Sequence, residues 1–94
     1  MEETADQQLA EVRKHIDSVD EEILMLLHER AAHVEQVARI KSNYKIDAVQ
    51  PARYEQLLKR LHAKARELGL KEELVDEIWS AIHKHSVARQ EEIL

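Results

Sequence analysis

Leu9-Ala10-Glu11-Val12-Arg13-Lys14-His15-Ile16-Asp17-Ser18-Val19-Asp20-Glu21-Glu22-Ile23-Leu24-Met25-Leu26 decides the architecture of this chain. Leu9, Val12, Ile16, Val19, Ile23 and Leu26 recur in steps of three and four residues, the period of a helix with one apolar face. Neither Gly nor Pro interrupts the pattern, and Glu, Lys, Gln, Ala and Arg fill the outer positions, which predicts a helix from about Asp6 to Ser42. Such a helix would be about 55 Å long. A compact chain of this size has a radius of gyration of only about 12 Å. The far half must therefore be covered by a second copy of the chain, or the helix must bend back.

The apolar seam is broken by cations. Arg30 falls one heptad after Ile23, and Lys41 one heptad after Val34. The two lie within about 20° of one face and roughly 16 Å apart along the axis. Each either snorkels or pairs with a Glu, or it awaits an anion, because an unmatched charge on an inward face is costly.

With 94 residues and no cysteine, the chain is expected to form a single domain over 1–94 that has neither disulfides nor a thiolate metal site. Dimerisation would supply buried surface that so small a core lacks. The acidic segment Met1-Glu2-Glu3-Thr4-Ala5-Asp6 does not read as a signal peptide, and no apolar run is long enough to span a membrane. A cytoplasmic protein is the expectation. The formal net charge of −5 argues against nucleic acid as a partner. One Gly, one Pro and 35% charged residues point to an all-α chain with few turns.

After Ser42 a polar connector, Ser42-Asn43-Tyr44-Lys45-Ile46-Asp47-Ala48-Val49, leads to Pro51 in the first turn of a second helix (about 50–68), with Gln50 or Asp47 near its cap. Leu57, Leu58, Leu61, Ala65 and Leu68 are its expected inward residues, and Gly69 its left-handed stop. Arg53 lies one turn before Leu57, beside the positive end of the helix dipole. It forms either an anion-binding corner or a pair with Glu55 or Asp47. A third helix (about 71–92) carries Leu74, Ile78 and Ile82, continued by Ser86 and Gln90, with Val75 and Trp79 beside the stripe as core. A buried Gln wants several partners, so Gln90 is the more telling of the two polar residues. His83 and His85 point different ways and His28 and His33 are five apart, so no zinc-helix spacing exists. Nor is there a phosphate loop or a nucleophile–base pair.

Arg13, Arg30, Lys41, Arg53, Ser86 and Gln90, set on three helices of which the first is very long, resemble the all-α chorismate mutase family. The resemblance runs from about Leu9 to Leu94. It is carried by Val12-Arg13-Lys14-His15-Ile16-Asp17-Ser18-Val19-Asp20, Leu27-His28-Glu29-Arg30, Val37-Ala38-Arg39-Ile40-Lys41, Pro51-Ala52-Arg53 and Ser86-Val87-Ala88-Arg89-Gln90. It implies an intertwined helical homodimer with two sites, each built from both chains, and an isomerase of aromatic amino acid biosynthesis. The reaction converts chorismate to prephenate pericyclically, with no cofactor and no metal. On one straight helix Arg13 and Arg30 would be about 25 Å apart and about 100° out of phase, so both cannot reach one small ligand. The resemblance implies that Arg13 crosses to the partner's site. There Arg13 and Arg30 would hold the substrate carboxylates, Lys41 and Gln90 would donate to the ether oxygen, and Arg53 and Ser86 would complete the polar wall. A millionfold acceleration corresponds to about 8 kcal/mol, within reach of two preorganised donors and conformer restriction.

Two positions depart from the family pattern. Gln50 and Tyr54 stand where typical mutases carry carboxylates that grip the ring hydroxyl. The related isochorismate pyruvate lyases, which form salicylate and pyruvate in a similar cationic pocket, also lack them. The lyase reaction is therefore the alternative. A helical dimerisation or ligand-sensing module without catalysis is the third possibility. Gln50 and Tyr54 remain candidate substrate contacts, and Tyr44 and Lys45 a candidate lid.

Overall fold

The computed structural model describes residues 2–94. Thr4 starts the first helix. Its Oγ1 accepts the Gln7 N–H at 3.1 Å while Gln7 Oε1 accepts the Thr4 N–H at 2.8 Å, a reciprocal capping box. The helix α1 then runs Ala5–Tyr44, one residue earlier and two later than expected. Its stop is a left-handed residue, as in many helices, but a costly one. Lys45 has φ 55°, and the Ile46 N–H returns to the Lys41 carbonyl at 2.8 Å. Tyr44, expected in the connector, is therefore the last residue of α1.

Helix α2 (Pro51–Leu68) opens with Pro51 in its first turn after Gln50, whose carbonyl accepts the N–H groups of Arg53 and Tyr54. Gln50, not Asp47, is the cap. The helix closes on Gly69 at φ 73°, with Leu70 N–H on the Ala65 carbonyl and Gly69 N–H on the Arg66 carbonyl. Helix α3 (Glu72–Ile93) starts with Glu72 and Glu73, two carboxylates at the positive end of its dipole. No strand occurs among the described residues.

Contacts divide the chain into two units, Met1–Ala32 and His33–Leu94. From Ala5 onward the first is helix alone. Its large apolar side chains, Leu9, Val12, Ile16, Val19 and Ile23, are each about half exposed, and Leu24, Met25 and Leu26 more so. The expected seam is present and uncovered.

The second unit has a core. Ala38, Ala65 and Val75, one from each helix, are its buried apolar residues, and α2 and α3 are the pair of helices that approach closely. Leu57, Leu58, Leu61, Trp79 and Ile82 are half-buried around them. Across α2 and α3, His62 Nε2 meets Asp76 Oδ1 and Arg66 Nη1 meets Glu72 Oε1, both at 2.6 Å. Leu68, Leu74 and Ile78, expected inward, are instead exposed. Leu68 ends α2, where the chain turns away. On α3, steps of four overshoot a turn by about 40° each, so the stripe from Leu74 to Gln90 fans over about 160°. Val75, Trp79, Ile82, Ser86 and Gln90 form the narrower inward face.

Candidate active site

Lys41 is the buried cation of the second unit. Only 8% of it is exposed, and its Nζ donates to the Ala48 carbonyl at 2.8 Å and to Gln90 Oε1 at 2.6 Å. Local structure explains both bonds. The left-handed turn at Lys45 folds the connector back along the last turn of α1, which brings Ala48 over the ammonium. Gln90, 7% exposed, reaches it from the last turns of α3. That helix is tied down one residue earlier, where Arg89 Nε and Nη2 donate to Glu35 Oε1 at 3.0 and 2.8 Å.

Neither partner of Lys41 is charged, and no carboxylate among the described residues pairs with it. Lys41 therefore neither snorkels nor pairs with a Glu. Burial pushes its pKa below the ordinary lysine value. The ammonium has three N–H groups, and two are used. Because lysine only donates, Gln90 must turn its oxygen towards Lys41, which leaves the amide nitrogen with donors alone to offer. One charged N–H and one amide NH₂ thus stand ready for an acceptor, held by helix ends rather than by the ligand. That is preorganisation for oxygen that gains negative charge. Lys41 also lines a cavity of about 680 Å³ together with Ser42, the connector from Lys45 to Val49, and Glu91 and Leu94 near the end of α3.

A protein-family model described as chorismate mutase type II matches residues 12–91. The chain belongs to that family. It is 32% identical over 88 residues to the chorismate mutase of Methanocaldococcus jannaschii, across 94% of this chain and 89% of that protein. It is also 38% identical over 55 residues to the bifunctional chorismate mutase/prephenate dehydratase of Aquifex aeolicus, across 58% of this chain and 15% of that longer protein.

The other candidate residues are distributed unevenly along the chain. Arg13 and Arg30 belong to the first unit, Arg13 exposed and Arg30 half-buried. Among the described residues no carboxylate pairs with Arg13 or Arg53, so Arg53 does not fold back onto Glu55 or Asp47. Gln50 is exposed at the cap of α2, and Ser86 is half-buried one turn before Gln90. Tyr54 stacks on His83, ring centroids 4.0 Å apart and planes at 20°.

Two contributors escaped the sequence. The Ala48 carbonyl is backbone and leaves no compositional trace. His83 did leave one: it stands a heptad before Gln90, so the two share a face of α3. No group of His, Asp or Glu among the described residues could hold a metal ion. No helix there is long and apolar enough to cross a membrane.

Proposed function

We propose that this chain is an isomerase that rearranges chorismate to prephenate, with Lys41 and Gln90 as the donors to the breaking ether bond. The carrying observation is the buried Lys41 ammonium, held by two neutral oxygens with one N–H to spare. As the C–O bond breaks, negative charge grows on the ether oxygen. A charged N–H and an amide N–H already in place stabilise it without solvent reorganisation. The C–C bond forms in the same step, so no proton is transferred and no protein nucleophile is required. This suits a site built of donors.

Arg30, and Arg13 from a second copy, are proposed to hold the two carboxylates in the folded, reactive conformer. Arg53, Ser86, Gln50 and Tyr54 are the proposed remaining contacts. The half-exposed seam from Leu9 to Ile23 supports the second copy. Covering what remains exposed is worth on the order of 1 kcal/mol per side chain. Exposed apolar runs of this length mark an interface. Both curated relatives carry the mutase name, so the lyase alternative is not favoured.

The test is an assay of the purified protein against chorismate and isochorismate separately. Loss of chorismate absorbance with formation of prephenate is expected. Salicylate fluorescence from isochorismate at the higher rate would overturn the proposal in favour of the lyase.

A further inference from the structure

The end of α3 meets α1 through side chains. Among the described residues, the helices whose backbones approach closely are α2 and α3. The last turns of α3 are nevertheless attached to α1 at Lys41, through Gln90, and at Glu35, through Arg89. Glu35 and Lys41 stand six residues apart on α1, roughly 9 Å along its axis. One tie would fix a distance and leave the end of α3 free to swing. Two ties so spaced also fix its direction. Lys41 and Gln90 are both long, many-jointed side chains, so their own bond leaves a latitude that the backbone beneath Gln90 must remove.

The bonds of Arg89 suit that task. Its Nε and Nη2 converge on Glu35 Oε1 at 3.0 and 2.8 Å, and its Nη1 donates to Glu92 Oε2 at 2.9 Å. Every guanidinium nitrogen is therefore engaged. Glu92, three residues on, holds one edge of the fork while the other faces α1. Glu35 Oε2 lies 4.0 Å from Arg39 Nη2, so the carboxylate is met from its own helix as well. A forked arginine–carboxylate pair sets orientation as well as distance, which a point charge does not. Stability is a poor account of the pair, because Arg89 is exposed and Glu35 only half-buried, where ion pairs add little.

We propose that Arg89 and Glu35 are positioning residues that lock the last turns of α3 against α1 and so aim the Gln90 amide at the ether oxygen. This rests on the mutase proposal above. Neither residue touches the substrate, and both act through Gln90.

The test is steady-state kinetics with chorismate, together with thermal midpoints, on Arg89→Ala, Glu35→Gln, their double variant, and Arg89→Ala in a Gln90→Ala background. Gln90 donates to an oxygen that gains charge only as the bond breaks, so misplacing it lowers kcat and kcat/KM alike and leaves KM unchanged. Arg89→Ala and Glu35→Gln are each expected to lower kcat about tenfold, with the midpoint little moved. That is short of the loss of about 10²–10³ for removing a whole donor, because Gln90 stays bonded to Lys41. The double variant should be no slower than either single one. Gln90→Ala keeps enough of a millionfold acceleration to be measured, and with no amide left to aim, Arg89→Ala should change its kcat less than about twofold. An equal tenfold loss in that background would show that Arg89 acts without Gln90, and would overturn the proposal. So would a lowered midpoint and active fraction with kcat per active site unchanged, the mark of a purely structural pair. Should Arg89→Ala fail to fold, Glu35→Gln, which keeps the side chain's shape, carries the same comparison. A wild type inert towards chorismate removes the mutase proposal and this one together. An active wild type whose kcat ignores both Arg89→Ala and Glu35→Gln removes this one alone.

Discussion

Replacing Lys41 by Met should move activity and stability in opposite directions. The side chain keeps its unbranched apolar stem, one atom shorter, and loses its charge. Activity loses twice over. The charged N–H to the ether oxygen disappears, and Gln90, no longer obliged to face its oxygen towards an ammonium, can turn that oxygen into the site. Loss of one preorganised donor costs about 3–4 kcal/mol, or 10²–10³ in rate, and the added freedom of Gln90 places Lys41→Met at the upper end. Stability is governed by burial, which lowers the Lys41 pKa from the ordinary 10.5. Between the lowered value and 10.5 the unfolded chain binds more protons at this lysine than the folded one, so stability rises with pH across that window. Below it the full penalty of burying the charge is present. The Met variant lacks the penalty and also leaves the Ala48 carbonyl and Gln90 Oε1 without a donor. Its stability relative to wild type should therefore be highest at neutral pH and decline as pH approaches 10.5. Wild-type kcat/KM should fall over the same window as Lys41 loses its proton, and kcat at higher pH, because a bound dianion favours the ammonium. Chorismate kinetics and urea unfolding across the alkaline range measure both. A variant within tenfold of wild-type activity, or a stability gap that does not move with pH, would refute the reasoning.

If Arg13 serves the partner's site, equal mixing of inactive Arg13→Ala and Lys41→Met dimers should restore about a quarter of wild-type activity, because half the dimers are mixed and each holds one intact site. No recovery after subunit exchange would place Arg13 outside the site. Ile16→Glu should dissociate the assembly in analytical ultracentrifugation, whereas a wild type that sediments as a single chain would deny the seam its role. Lys45→Gly relieves a left-handed backbone at φ 55° worth about 1 kcal/mol and should raise the thermal midpoint by several degrees. Gly69→Ala should cost about the same by denaturant midpoint, because a Cβ there meets nothing within 4 Å and only the φ of 73° opposes it.

The first helix was legible because its pattern is local and repeated: six apolar residues in register outweigh any single substitution. Its ends were legible in one case and not in the other. Thr4 and Gln7 stand three apart, as a capping box requires, so the start is written in the sequence one turn ahead of the apolar pattern. The stop at Lys45 carries no sequence mark, because the residue that bends there is not a glycine. The inward face of α3 was misread at Leu74 and Ile78 because steps of four drift around the helix, and only packing shows which side of the drift is covered. Of the candidate site, Gln90 and Lys41 could each be flagged as polar groups on an apolar face. Their bond spans 49 residues and no spacing rule reaches it; resemblance to the mutases paired them before geometry did.

The unneutralised ammonium has a consequence outside catalysis. A desolvated ammonium held only by neutral oxygens attracts small anions from its medium. Phosphate, sulfate or citrate in a buffer will compete with substrate, raise the apparent KM and raise the melting temperature. Affinities taken in different buffers will disagree for that reason alone, and in the cell the enzyme will respond to the total pool of small anions as well as to its own substrate.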